Sequence, residues 1–151
     1  HKVLYRSVKD QIPDEYYTVE IGKAKLVSEG TDLSIITYGM GVHWAKEILT
    51  AMPEVSADIL DLRTLLPWDK EAVAETVRKT NRVIVLHEDT LTGGIGAEIA
   101  AWISEHHFDQ LDAPVMRVGS LDTAIPFAPT LEKNFLARGK LKVKIEELLK
   151  F

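Results

Sequence analysis

Leu33-Ser34-Ile35-Ile36-Thr37-Tyr38-Gly39-Met40-Gly41 is the stretch that decides the fold class. Its first six residues are continuous, β-rich and apolar, which is how a strand buried on both faces reads. Gly39-Met40-Gly41 then turns the chain into a helix, with Ala45, Ile48, Leu49 and Met52 on one stripe and a stop before Pro53. A buried strand followed by a turn and an amphipathic helix predicts a sheet covered by helices.

Downstream the unit recurs. Ala57 to Asp61 reads as the next strand, and Pro67-Trp68-Asp69 opens a helix with Asp69 as N-cap. Ala72, Val73 and Val77 face inward on that helix, and Arg78 and Lys79 suit its negative C-terminal end. Arg82 to Leu86 is a third buried strand. Thr92-Gly93-Gly94 leads a helix with Ile95, Ile99, Trp102, Ile103 and His106 on one face, and Val115 to Val118 supplies a further strand. An irregular stretch with Pro126, Pro129 and Gly139 follows, before a last helix with Leu141, Ile145, Leu148 and Leu149 inward.

Upstream, Lys23 to Ser28 alternates polar and apolar residues and reads as a half-exposed strand. Its Gly-containing link to the strand at Leu33 is too short for a crossover helix, so those two strands are expected to pair antiparallel. Residues 1–17 show no clear period and read as a linker or entering arm. The expectation is a three-layer α/β/α domain over residues 18–151. Its sheet is mostly parallel and five-stranded, with one antiparallel edge strand.

Composition narrows the function classes. The chain has 151 residues, 46% of them hydrophobic and 27% charged, and a formal net charge of -5. Acidic and basic residues interleave, so no clustered positive surface awaits nucleic acid. With no cysteine, thiolate chemistry and disulfides are excluded, and a reducing compartment is expected. No apolar run approaches the roughly 20 residues that cross a bilayer. The five histidines, His1, His43, His87, His106 and His107, show no spacing that also brings a third metal ligand. The start at His1-Lys2 lacks both an initiator methionine and a signal peptide, which reads as a piece of something longer.

In open α/β sheets, function gathers beyond the carboxyl ends of the strands. That rule selects Gly39 to Gly41, Asp61 to Arg63, His87 to Asp89 and Gly119-Ser120. His87 beside Glu88 is either a base with an orienting acid or a strand-end pair that bonds to a loop or subunit. Asp61 and Arg63 either clamp an anion or form a structural pair. Thr90 to Gly96 is a glycine-rich helix entry, but it has neither the Gly-Lys-Ser/Thr ending of a phosphate loop nor the dinucleotide spacing. Its glycines either receive an anion or allow close approach of a neighbouring helix or subunit.

The order of motifs goes further. Lys2-Val-Leu-Tyr-Arg6, Glu29-Gly-Thr-Asp32, Ile36-Thr-Tyr-Gly39, Asp61-Leu-Arg-Thr-Leu-Leu-Pro-Trp-Asp69, Lys79-Thr-Asn-Arg82, His87-Glu88, Leu91-Thr-Gly-Gly94, Ala113-Pro114, Arg117 and Asp122-Thr123 follow one another. This series resembles the C-terminal, transketolase-type domain of the beta subunit of thiamine-dependent 2-oxo acid dehydrogenases, of the 2-oxoisovalerate or pyruvate type. The resemblance implies oxidative decarboxylation of a 2-oxo acid, with branched-chain substrates favoured, and acyl transfer to lipoamide. It places thiamine diphosphate and Mg2+ in domains other than this one, whose Gly-Asp-Gly motif is absent here. It therefore implies an assembly domain that is inactive alone, with no catalytic, cofactor or metal residues. The subunit contact, to a second copy of the domain and to other subunits, would include Asp61, Arg63, His87, Glu88, Leu91, Thr92, Gly93 and Gly94. A dihydrolipoyl acyltransferase, basic where it binds, would dock at Asp112 and the carboxylate of Phe151. The family's setting implies cytoplasm or mitochondrial matrix. A Pro-containing turn is usual where Leu136-Ala-Arg-Gly139 stands. The alternatives are the C-terminal domain of a transketolase or deoxyxylulose-phosphate synthase, and a free-standing anion- or nucleotide-binding module.

Overall fold

A computed structural model describes residues 2–9 and 11–151. His1, one of the five histidines surveyed, and Asp10, within the expected arm, lie outside the described residues. Helix α1 (Lys2–Ser7) is followed by residues 11–24 without helix or strand, in which Ile12, Tyr16 and Ile21 stand exposed. The domain proper contains β1 (Lys25–Ser28), β2 (Leu33–Thr37), α2 (Met40–Thr50), β3 (Ala57–Asp61), α3 (Lys70–Thr80), β4 (Val83–Thr90), α4 (Ile95–His107), β5 (Met116–Ser120), α5 (Pro129–Phe135) and α6 (Arg138–Leu148).

The strands form one sheet in the order β1-β3-β2-β4-β5, parallel except for β1, which runs antiparallel on the edge of β3. Alternate residues divide the core. Leu33, Ile35, Ile59, Ile84, Leu86 and Val118 pack with Val42, Trp44 and Ala45 of α2 and Leu141, Ile145 and Leu148 of α6. Ile36, Leu60, Val83 and Val85 pack with Val73 and Val77 of α3 and Ile99 and Ile103 of α4. That period of two along β2, with every residue buried, is the signature of a central strand covered on both faces.

Five expectations are corrected. β1 does not pair with β2, because β2 already has β3 and β4 on its two edges. The link between β1 and β2 instead crosses the start of β3. Thr31 and Asp32 donate to the Ser56 carbonyl at 3.2 and 2.8 Å, and a Cβ on Gly30 would lie 2.1 Å from the Ala57 nitrogen. β4 continues past Leu86 to Thr90, and the stretch expected to be irregular contains α5, with Pro129 in its first turn. In α4 the buried histidine is His107, while His106 lies outside and stacks on Trp102 at 4.9 Å. Leu149, expected inward, follows α6 and is 37% exposed.

Asp69 caps α3 as expected, accepting from the Ala72 N–H at 3.2 Å. Its second oxygen accepts from Ala24 N–H at 3.1 Å, so one buried carboxylate fixes both the helix start and the approach to β1. Asp58, 1% exposed in β3, accepts from Gly30 N–H, the Thr76 hydroxyl and Lys79 Nζ at 2.8, 2.6 and 2.8 Å. At that site a buried charge has a full set of donors.

Candidate functional site at the carboxyl edge

Strand β4 carries the edge's chemistry, and a bulge shapes it. Leu86 faces Val118 and Thr90 faces Ser120, so four steps on β4 oppose two on β5. His87, Glu88 and Asp89 together lie opposite Gly119, two residues more than regular pairing holds. Ser120 Oγ donates to the Glu88 carbonyl at 2.5 Å, and Arg117 donates to the Leu91 carbonyl at 3.0 Å, holding the bulge from the β5 side.

His87 lies fully buried between this bulge and the start of α4. Its Nδ1 is 3.1 Å from the Asp89 carbonyl, an acceptor only, so Nδ1 carries the hydrogen and donates. Nε2 then carries a lone pair, and it has no hydrogen-bond partner among the described residues. Three glycines line the ring. A Cβ on Gly96 would lie 2.4 Å from Nε2, on Gly94 2.7 Å from Cε1, and on Gly119 2.9 Å from Cε1. The close approach that the glycine run permits is therefore internal, to His87. Gly93 alone of the run has open space around it, at φ 79°.

The ring's burial lowers its pKa from the ordinary histidine value; the Asp89 carbonyl and carboxylate oppose this, and Arg117 adds to it. A neutral, enclosed imidazole cannot reach a substrate proton. In this structure His87 turns its Nδ1 hydrogen bond inward, to the Asp89 carbonyl, rather than toward Glu88. Glu88 is half-buried, and desolvation raises its pKa. Tyr38, at the adjacent end of β2, is raised by burial and by the nearby charges of Asp89 and Glu88. The edge is therefore acidic.

The loop leading into α4 already holds an anion of its own chain. Asp122 supplies it: its carboxylate accepts from Thr92 N–H at 2.8 Å and from the Thr92 hydroxyl at 2.7 Å. Those bonds lower the pKa of Asp122. With that carboxylate on Thr92 and Glu88 and Asp89 nearby, the residues do not fit the diphosphate of a thiamine cofactor.

The remaining edge residues are placed as follows. Asp61 is half-buried and accepts from Arg63 N–H at 3.1 Å. The Arg63 side chain is exposed, its backbone left-handed at φ 58°, and no Asp61–Arg63 ion pair forms among the described residues. Thr92 and Gly93 are exposed, Leu91 is half-buried and Gly94 is buried. At the opposite end of the sheet, Asp112 has an exposed carboxylate 3.6 Å from Arg82, and its N–H donates to the Asn81 carbonyl at 2.9 Å. Exposed Phe108 lies with Leu111, Asp112 and Pro114 around an open groove there. Ala113 belongs to the same core cluster as Leu148, close in the chain to exposed Phe151. The cage around His87 and the Thr92–Asp122 clamp escape motif reading, although the threefold recurrence of glycine at 94, 96 and 119 is visible.

This sheet order, with its single antiparallel edge strand and helices on both faces, is that of a three-layer α/β/α domain. Residues 22–140 match the family "Transketolase, C-terminal domain", and the chain belongs to it. Among its relatives, the 2-oxoisovalerate dehydrogenase subunit beta of Bacillus subtilis is 43% identical over 155 residues, covering 100% of this chain and 47% of that protein. The pyruvate dehydrogenase E1 component subunit beta of the same organism is 45% identical over 133 residues, with coverages of 85% and 40%. The mitochondrial 2-oxoisovalerate dehydrogenase subunit beta of Dictyostelium discoideum is 40% identical over 143 residues, with coverages of 89% and 39%. Among solved structures, a split-gene transketolase in an inactive beta4 tetramer aligns with TM-score 0.76 and 26% identity, over 95% of this chain and 46% of that one. The chain spans about half the length of the curated relatives it matches. Among the described residues, no helix is long and apolar enough to cross a membrane.

Proposed function

We propose that this chain is the C-terminal assembly domain of the beta component of a thiamine-diphosphate-dependent 2-oxo acid dehydrogenase. Thiamine diphosphate and Mg2+ belong to other parts of that enzyme, and the domain itself is inactive. The observation that carries this reading is the use of the carboxyl edge. Where an open sheet places a ligand, this chain encloses a neutral histidine and fills its own helix entry with Asp122. Identities of 43% and 45% to dehydrogenase beta subunits, against 26% to the split-gene transketolase, favour the dehydrogenase over a transketolase. The 2-oxoisovalerate relatives favour a branched-chain substrate, with the acyl group passed to lipoamide, and the mitochondrial relatives are consistent with a matrix or cytoplasmic enzyme.

Two surfaces serve assembly. The carboxyl edge, with Asp61, Arg63, Glu88, Leu91, Thr92 and Gly93 outermost, meets a second copy of the domain or another subunit. His87 and Gly94 support it from within. The beta4 tetramer of the split-gene transketolase supports self-association of beta chains. Asp112 and the terminal carboxylate of Phe151 receive the basic binding domain of a dihydrolipoyl acyltransferase. Arg63→Glu in the complete enzyme tests the first surface by sedimentation. Loss of assembly is expected, whereas an unchanged sedimentation coefficient removes this edge from the contact.

A further inference from the structure

We propose that His87 is an acid-sensitive support of the carboxyl edge: a proton on its imidazole opens the cage of Gly94, Gly96 and Gly119 and frees the segment from Glu88 to Gly94. The proposal concerns the regulation of the edge read above as a subunit contact, yet it stands on internal geometry alone. The fully buried ring holds the bulge through its Nδ1 hydrogen bond to the Asp89 carbonyl, and Nε2 faces the first turn of α4 without a partner among the described residues. A proton there would place a cation against backbone less than a side chain's width away. It would also lie at the positive end of the α4 dipole.

The charges around the ring do not rescue that cation. Asp89, on its own strand, favours it, but Arg117 of β5 opposes it. From α4 come Gly94 and Gly96, and from β5 also Gly119, whose carbonyl is already held by Lys140 of α6 at 3.0 Å. Tyr38 just past β2, Asp61 at the end of β3, Glu88, and the Asp122 carboxylate held by Thr92 are further titratable groups at these strand ends.

The direction with pH follows. Above about pH 6.5 the ring is neutral whether the edge is closed or open, and pH has no effect through it. Below that, the open form takes up a proton that the closed form refuses. Opening then grows about tenfold per pH unit, until the depressed pKa of the closed form is reached. Glu88 works the other way. Burial raises its pKa, so the closed edge holds that proton more tightly and acid favours closure through it.

Amide hydrogen exchange separates the two, corrected for the intrinsic rate and followed from pH 7.5 to 5. In the unchanged protein, residues 91–97 and 117–121 should open about tenfold more per pH unit below about 6.5. His87→Asn keeps a donor toward Asp89 but cannot charge, and the slope should vanish. A flat profile in the unchanged protein, or the same slope in H87N, overturns the proposal. If H87N does not fold, NMR of the unchanged protein with 15N-labelled histidine decides. Nδ1 should be protonated at pH 7.5, with Nε2 titrating below about 6.5 in step with the Gly94, Gly96 and Gly119 amides. A ring that titrates at the ordinary value while those amides stay still overturns it. Exchange and NMR read the ring, while sedimentation of R63E reads the contact, so either can fail alone.

Discussion

A Cβ at Gly96 would stand 2.4 Å from His87 Nε2, and one at Gly93 would meet nothing within 4 Å. Two neighbouring glycines thus exist for different reasons, one for space and one for a left-handed φ of 79°. Gly96→Ala should cost about 1–3 kcal/mol, as the clash outweighs the gain in helix propensity. Gly93→Ala should cost only the backbone strain, about 1 kcal/mol. Urea denaturation checks both, and equal losses would mean that the ring does not fill the cage. From sequence alone Gly94 is a candidate for a partner's close approach, because spacing cannot say what a glycine approaches. The same limit hides Nε2. The sequence puts His87 and Glu88 at the end of a buried strand, whereas β4 bulges at them and runs on to Thr90; enclosure depends on which helix turn lies above, and that is set by the distant register of β4 on β5.

Among the elements, α3 was the most legible, since Asp69, an apolar stripe and basic residues in the last turn all agree locally. Its cap also holds Ala24, so Asp69→Ala should remove two backbone bonds and cost about 1–3 kcal/mol. Urea melts of D69A and D69N test this, with D69N expected to retain part of the cap. A loss below about 0.5 kcal/mol would show that water replaces both bonds. β1 was legible as an antiparallel edge strand but not in its partner. A short link fixes direction, whereas the free edge of β3 is available only because β2 is already paired on both sides. α5 was missed because the same proline that marks a loop in sequence also starts a helix well.

At the scale of the molecule, the two proposed assembly surfaces lie at opposite ends of the sheet. The carboxyl edge is acidic and internally braced. The opposite end presents Asp112 beside an apolar groove, at the close of β5's approach. Asp112 shares its charge with Arg82, so it contributes a partly neutralised carboxylate to a basic partner. In the complete enzyme Asp112→Lys should slow association with the acyltransferase several-fold at low salt and flatten its salt dependence. Stopped-flow association against ionic strength reads this, and an unchanged slope removes Asp112 from the docking surface. The three-layer fold was legible because its strands and helices are written in two distinct periods. The bracing of the carboxyl edge was not, because the His87 cage and the Thr92–Asp122 clamp join groups that meet only in the folded sheet.

The most direct measurement is calorimetric titration of the 151-residue chain with thiamine diphosphate in the presence of Mg2+. An assembly domain whose carboxyl edge is filled from within gives no binding heat. Binding in the micromolar range would contradict its assignment as a non-catalytic part of the enzyme.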